Sequence, residues 1–186
     1  MHPIHTRFRG QLASCRIMLL LAAAAAAFSA LPAHAENTVA ITPGMSQTAA
    51  PVVYSDGKSN TYALNAQENK LTAVHFWATW CAPCVGELPE IDAAQNAYGG
   101  KGFKVLALSL DSNTSADKPA AFMAQHGITH LKPLIDFSQA SFKAAHAPGL
   151  PTTVFIDTTG KEVGRAEGPV DWKSKETQAF IERYAH

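Results

Sequence analysis

Two cysteines, Cys81 and Cys84, stand inside the stretch HFWATWCAPCVGELP that runs from His75 to Pro89. Thiols two residues apart serve four kinds of chemistry: a structural bridge, half of a zinc site, a clamp for copper, or a pair that is reversibly oxidised. A structural disulfide stabilises by closing a loop in the unfolded chain, and the effect grows with loop length. A bridge across Ala82-Pro83 closes almost nothing. Structural zinc needs four ligands, commonly two such pairs or a pair plus two spaced histidines. No second cysteine pair exists, and His126 and His130, which have the spacing, straddle Gly127.

The reversible pair has positive support. The thiolate, not the thiol, attacks disulfides, so the leading cysteine needs a lowered pKa. A helix start supplies unpaired N–H groups and a partial positive charge. The spacing puts Cys81 at such a start, with Pro83 in the first turn, where a missing N–H costs nothing. Cys84 then lies on the same face one turn deeper, placed to attack a mixed disulfide on Cys81 and release the partner.

The elements around the pair must provide that helix start. LTAVHFWAT, residues 71–79, is a largely apolar, β-rich run that suits a buried strand. After the pair, Val85, Leu88 and Ile91 are spaced like one helix face up to Tyr98, before Gly99-Gly100. FKVLALSL is a second buried strand; SADKPAAFMAQHG reads as a helix closed by Gly127, and KPLIDF as a short strand. SQASFKAAHA is a further helix with Ser138 as its expected cap. PTTVFID and KEVGRAE flank Thr159-Gly160 as a hairpin, and residues 171–186 close the chain as an amphipathic helix. Nearer the N-terminus, VVYSDGKSNTYAL has two strand-like runs around Asp56-Gly57, a dipeptide favoured in tight turns. Alternating strands and helices argue for an α/β fold, a central mixed β-sheet flanked by helices. Reactive groups in such sheets gather at the carboxyl ends of strands, where the cysteine pair falls.

The ends bound the setting. Arg7, Arg9 and Arg16 precede the apolar run IMLLLAAAAAAFSA, and LPAHA precedes Glu36. That pattern predicts a secretory signal peptide over residues 1–35, cleaved after Ala35, with an uncleaved membrane anchor as the alternative. Cys15 would leave with the signal. Residues 36–50 lack periodicity and read as a flexible leader, so the domain is expected over 51–186. Residues 1–35 hold three of the 15 basic residues and none of the 15 acids, so the remainder carries a charge near −3. That balance gives no support for nucleic-acid binding or a polybasic membrane patch.

FWATWCAPC, followed by Glu87 and Pro89 and by GLPTTVFID downstream, resembles the thioredoxin superfamily. More narrowly it resembles the exported TlpA/ResA-type thiol–disulfide reductases, which include the cytochrome c maturation thioredoxins. The resemblance runs from about Pro51 to the C-terminus. It implies a thioredoxin-like fold with an added N-terminal β-hairpin and a central strand–helix insertion, filled here by SADKPAAFMAQHG and KPLIDF. It implies Cys81 as the attacking cysteine, Cys84 as the resolving one, and a redox disulfide between them. Trp80 matches the tryptophan before the pair, and Pro89 the proline within the first helix. Pro151 matches a cis-proline facing the disulfide, with the backbone at Leu150 free to bind a substrate strand. Glu87 matches an acid beside the site; one turn beyond Cys84 it could shuttle that thiol's proton. Its plainer reading is an acid favourable near a helix N-terminus.

His75 departs from the pattern, which has an acid or asparagine six residues before the attacking cysteine. A proton relay, a core histidine and a copper ligand stay open for it. Trp77 reads as core, and His126, His130, His146 and His186 as surface residues. Ala82-Pro83 between the cysteines resembles the reductive members, so a periplasmic reductase is expected, with no cofactor. Its partners would be apocytochrome c or copper-site assembly proteins of cytochrome oxidase, and a transmembrane thiol donor would recharge it. The rival is a copper metallochaperone with Cys81, Cys84 and His75 or His146 as ligands, since thiolates suit Cu(I). Against it, no Met-rich cluster appears. The Pro-x₃-Thr/Ser-x₂-Cys context of a peroxidatic cysteine is also absent.

Overall fold

The computed structural model describes residues 38–185 apart from 45, 59 and 112–115. The expected signal peptide, with Cys15, and His186 lie outside the described residues. Among the described residues, β1 (Thr42–Pro43), β2 (Val53–Ser55), β3 (Thr61–Ala63), β4 (Leu71–Trp77), β5 (Phe103–Ser109), β6 (Leu134–Ile135), β7 (Thr152–Asp157) and β8 (Glu162–Glu167) form one eight-stranded sheet in the order β1-β8-β7-β4-β5-β6-β2-β3. At its centre β4 (Leu71–Trp77) and β5 (Phe103–Ser109) run parallel, joined through α1 (Ala82–Tyr98). A parallel pair needs such a crossover, and its strands, covered on both faces, read as continuous apolar runs rather than alternating ones. Every residue of β4 is buried.

On one side of the strand pair, β5 leads through α2 (Asp117–Gln125) to β6 (Leu134–Ile135). β6 pairs with β2 (Val53–Ser55), which forms a hairpin with β3 (Thr61–Ala63). Tyr54 and Tyr62 stack across that hairpin with ring centroids 5.5 Å apart. On the other side, β7 (Thr152–Asp157) runs antiparallel to β4 and pairs with β8 (Glu162–Glu167). Asp157 shapes the β7–β8 turn by accepting hydrogen bonds from the Thr159 and Lys161 N–H groups, and Gly160 takes the left-handed conformation (φ 77°). α3 (Ala140–Ala144) precedes β7, and α4 (Lys175–Ala185) ends the chain.

Alternation along β4 divides the core. Leu71, Ala73 and Trp77 pack with Cys84, Leu88 and Ile91 of α1 and Ile181 of α4. Val74 and Phe76 face the other way, against Leu106, Leu108, Val154 and Phe142 of α3. Asp92, buried on α1, accepts hydrogen bonds from the N–H groups of His130 and Leu131 at 2.7 and 2.9 Å. It thereby ties the helix that carries the cysteines to the loop beyond α2.

Two local expectations change. The described residues of the expected leader, 38–44 and 46–50, are not loose: β1 (Thr42–Pro43) pairs antiparallel with β8, Ala49 N–H donates to Gly160 C=O, and Val39 and Ile41 pack on the core. The segment shows no periodicity because it follows the sheet edge at close range; a Cβ on Gly44 would lie 2.3 Å from the Glu162 carbonyl oxygen. The start of α3 is held by Asp136 rather than Ser138, since its carboxylate accepts from the Phe142 N–H at 2.7 Å.

Candidate active site

β4 ends at Trp77, the chain turns through Ala78–Cys81 with the Cys81 N–H donating to the Ala78 carbonyl, and α1 begins at Ala82. Cys81 is the N-cap residue: its Sγ accepts from the Cys84 N–H at 3.4 Å, and Pro83 sits in the first turn. No acid stands in that turn to oppose a thiolate. The two cysteines are joined as a disulfide. Cys81 keeps 7% of its surface open while Cys84 has none. Trp80, beside them, is 67% exposed.

The Leu150–Pro151 peptide is cis, and Leu150 and Cys81 line one groove of about 530 Å³. Its other walls come from Trp80, Pro83, Leu110, Phe142 and Pro148, with no charged side chain among them. The Thr152 hydroxyl donates to the Gly149 carbonyl at 2.8 Å, fastening the loop that carries the proline.

One turn beyond Cys84 along α1, Glu87 belongs to a buried polar cluster. One Glu87 oxygen accepts from the Val170 N–H at 2.8 Å and from the Trp172 indole N–H at 3.1 Å. The other lies 3.5 Å from His75 Nε2, a contact too long to count as a strong hydrogen bond. His75 Nδ1 is 2.9 Å from the Thr153 hydroxyl, two residues past Pro151. The structure thus brings Cys84, Glu87 and His75 to one side of the sheet, and His75 bridges toward the cis-proline strand. Burial pushes the His75 pKa down to about 3, so the imidazole is neutral near pH 7.

This shift carries a signed consequence. The folded state holds the His75 proton less readily than the unfolded chain, whose value is near 6.5. Its stabilising effect is therefore complete above about pH 6.5 and is lost as pH falls toward 3. Urea unfolding should show a loss of at most about 2 kcal/mol between pH 7 and pH 5, above the range where carboxylates titrate. His75→Asn should flatten that slope; an unchanged slope would show that another group causes it.

Trp77 is fully buried and serves as core. His126, His130 and His146 are exposed. Among the described residues, no three His, Cys, Asp or Glu side chains converge to hold a metal ion. Also among the described residues, no helix is long and apolar enough to cross a membrane. Sequence reasoning missed Thr153, Val170 and Trp172 around Glu87 and His75, and Asp111 behind the Thr79-Trp80 turn. Only the polar residues closing SLD (109–111) at a strand end hinted at the last.

A family model described as Redoxin matches residues 43–181. The chain belongs to the Redoxin family. This redoxin is 29% identical over 147 residues to the thiol-disulfide oxidoreductase ResA of Geobacillus thermodenitrificans (strain NG80-2), covering 78% of the chain and 80% of that protein. It is 31% identical over 116 residues to ResA of Bacillus thuringiensis (strain Al Hakam), covering 62% of the chain and 65% of the relative. Its fold matches a Chlorobium tepidum crystal structure provisionally named thiol:disulfide interchange protein DsbE. The TM-score is 0.64 at 24% identity, over 79% of this chain and 100% of the other. The redoxin is a TlpA/ResA-like member of the thioredoxin superfamily with a thioredoxin-like fold. With its cysteine pair at the helix start, it is a thiol–disulfide oxidoreductase.

Proposed function

We propose that the redoxin is an exported, periplasmic reductase of protein disulfides, with Cys81 attacking and Cys84 resolving. The observation that carries this reading is the asymmetry between a cysteine at the groove rim and a cysteine sealed beneath it. The Cys81 thiolate, favoured by the helix start, attacks one sulfur of a partner disulfide. A Cys81–partner bond forms, the partner's S–S bond breaks, and its other sulfur leaves as a thiolate that takes a proton. Cys84 then loses its proton, attacks Cys81 Sγ and expels the partner's remaining thiolate. The partner gains two electrons and two protons, and the protein is left as the disulfide. A transmembrane thiol donor returns it to the dithiol.

In this scheme Glu87 accepts the Cys84 proton, and His75 behind it is the next proton site. Burial makes a resting imidazolium costly, so His75 would hold the proton only in passage. Trp80 and Leu150 flank the bound partner segment, with Pro151 setting the backbone that meets it. Apocytochrome c and copper-site assembly proteins of cytochrome oxidase are the proposed partners. The signal-like residues 1–35 and the Ala82-Pro83 pair between the cysteines support export and reduction.

Trapping tests the scheme. Cys84→Ser should accumulate covalent adducts through Cys81 that mass spectrometry can name, and Cys81→Ser should not. Direction is read from the reduction potential: a value near about −120 mV, that of a strong oxidant, would refute the reductase assignment.

A further inference from the structure

Asp111 follows the end of β5 and is buried, yet it is a fully engaged carboxylate. One oxygen accepts from the Thr79 N–H at 2.9 Å and from the Ser109 hydroxyl at 2.8 Å. The other accepts from the Thr79 hydroxyl at 2.7 Å and from the Lys118 ammonium, on α2, at 2.8 Å. Burial opposes its charge, but the hydrogen bonds from Lys118, Thr79 and Ser109 outweigh that and hold its carboxyl below the ordinary value. Thr79 is the second residue of the Ala78–Cys81 turn, and the third is Trp80. A tryptophan 67% exposed has few packing contacts of its own to fix it, so the turn must be held from behind. Leu110, adjacent to Asp111, donates its N–H to the Trp77 carbonyl at 2.8 Å and also lines the groove.

We propose that Asp111 is a positioning residue for the reaction: by gripping Thr79 it holds Trp80 as a wall of the partner-binding groove, and Lys118 ties that grip to the inserted helix α2. The inference rests on the thiol–disulfide reading and assigns Asp111 no part in the sulfur chemistry. It acts on the capture of a protein partner and leaves attack on a small disulfide, which needs no groove wall, largely alone.

The test compares two oxidised substrates, insulin and hydroxyethyl disulfide, with the full chain as dithiol. Asp111→Ala should raise KM for insulin by about tenfold, the scale of losing one well-placed anchor, with a far smaller change in kcat or in the rate with hydroxyethyl disulfide. Thr79→Val, which removes one donor and keeps the backbone bond, should move the same KM less. It serves as the informative variant if Asp111→Ala does not fold. Because Asp111 acts through Trp80, the double variant with Trp80→Ala should be no worse than Trp80→Ala alone. Parallel losses with both substrates, or additive losses in the double variant, would overturn the proposal. A wild-type dithiol inert toward both disulfides would instead refute the thiol–disulfide reading beneath it.

Discussion

Cys81→Ser is expected to lower the reduction of protein disulfides by more than about a thousandfold, the scale of losing a nucleophile. A serine hydroxyl at the helix start is not ionised near neutral pH, so the partial charge that favours a thiolate has nothing to act on. Cys84 cannot stand in, because it is fully buried under the groove floor while Cys81 lies at the rim. Cys84→Ser differs in kind: it attacks once and stalls with the partner attached. Single-turnover kinetics with a protein disulfide separates the two. A Cys81→Ser protein that captured partners as well as Cys84→Ser would reverse the roles assigned here.

Glu87→Ala should cost about 3 kcal/mol of stability, because it strips the acceptor from two buried donors at roughly 1–3 kcal/mol each. Those donors are the Val170 N–H and the Trp172 indole, in the segment linking β8 to α4. Glu87→Gln isolates the chemistry from the scaffold. Its amide oxygen can still accept from both donors, and its NH₂ can face His75 Nε2 in the tautomer that carries the imidazole proton on Nδ1, toward the Thr153 hydroxyl. The glutamine variant should therefore stay within about 1.5 kcal/mol of wild type. Its resolving step should slow by about a hundredfold, as for loss of a positioned proton acceptor. Urea melts read the first effect and rapid-mixing kinetics of mixed-disulfide decay the second. A resolving rate in Glu87→Gln equal to wild type would remove the carboxylate from the proton path.

How far the site was legible follows from how far each signal reaches along the chain. The N-cap place of Cys81, the position of Cys84 one turn on and the hairpin turns at Asp56-Gly57 and Thr159-Gly160 are all set within a few residues. Their physics is local: helix ends need partners, and tight turns need permissive φ. The buried runs of β4 and β5 were equally readable, since a strand covered on both faces must be apolar throughout. The edge strand at Thr42–Pro43 was not, because two residues beside a glycine carry no period.

The spacing of Cys81 and Cys84, their place between a buried strand and a helix, and the order of strands and helices around them were determined by the amino-acid sequence alone. The tertiary structure alone decided what His75 and Glu87 face. Thr153 stands opposite His75 because β7 pairs with β4 in that register, 78 positions along the chain. Val170 and Trp172 reach Glu87 across 83 and 85 positions, and Asp111 reaches Thr79 across 32. No periodicity links residues so far apart. Sheet register and helix packing bring them together, and the burial that results, rather than any motif, depresses the His75 pKa and decides where a proton can rest.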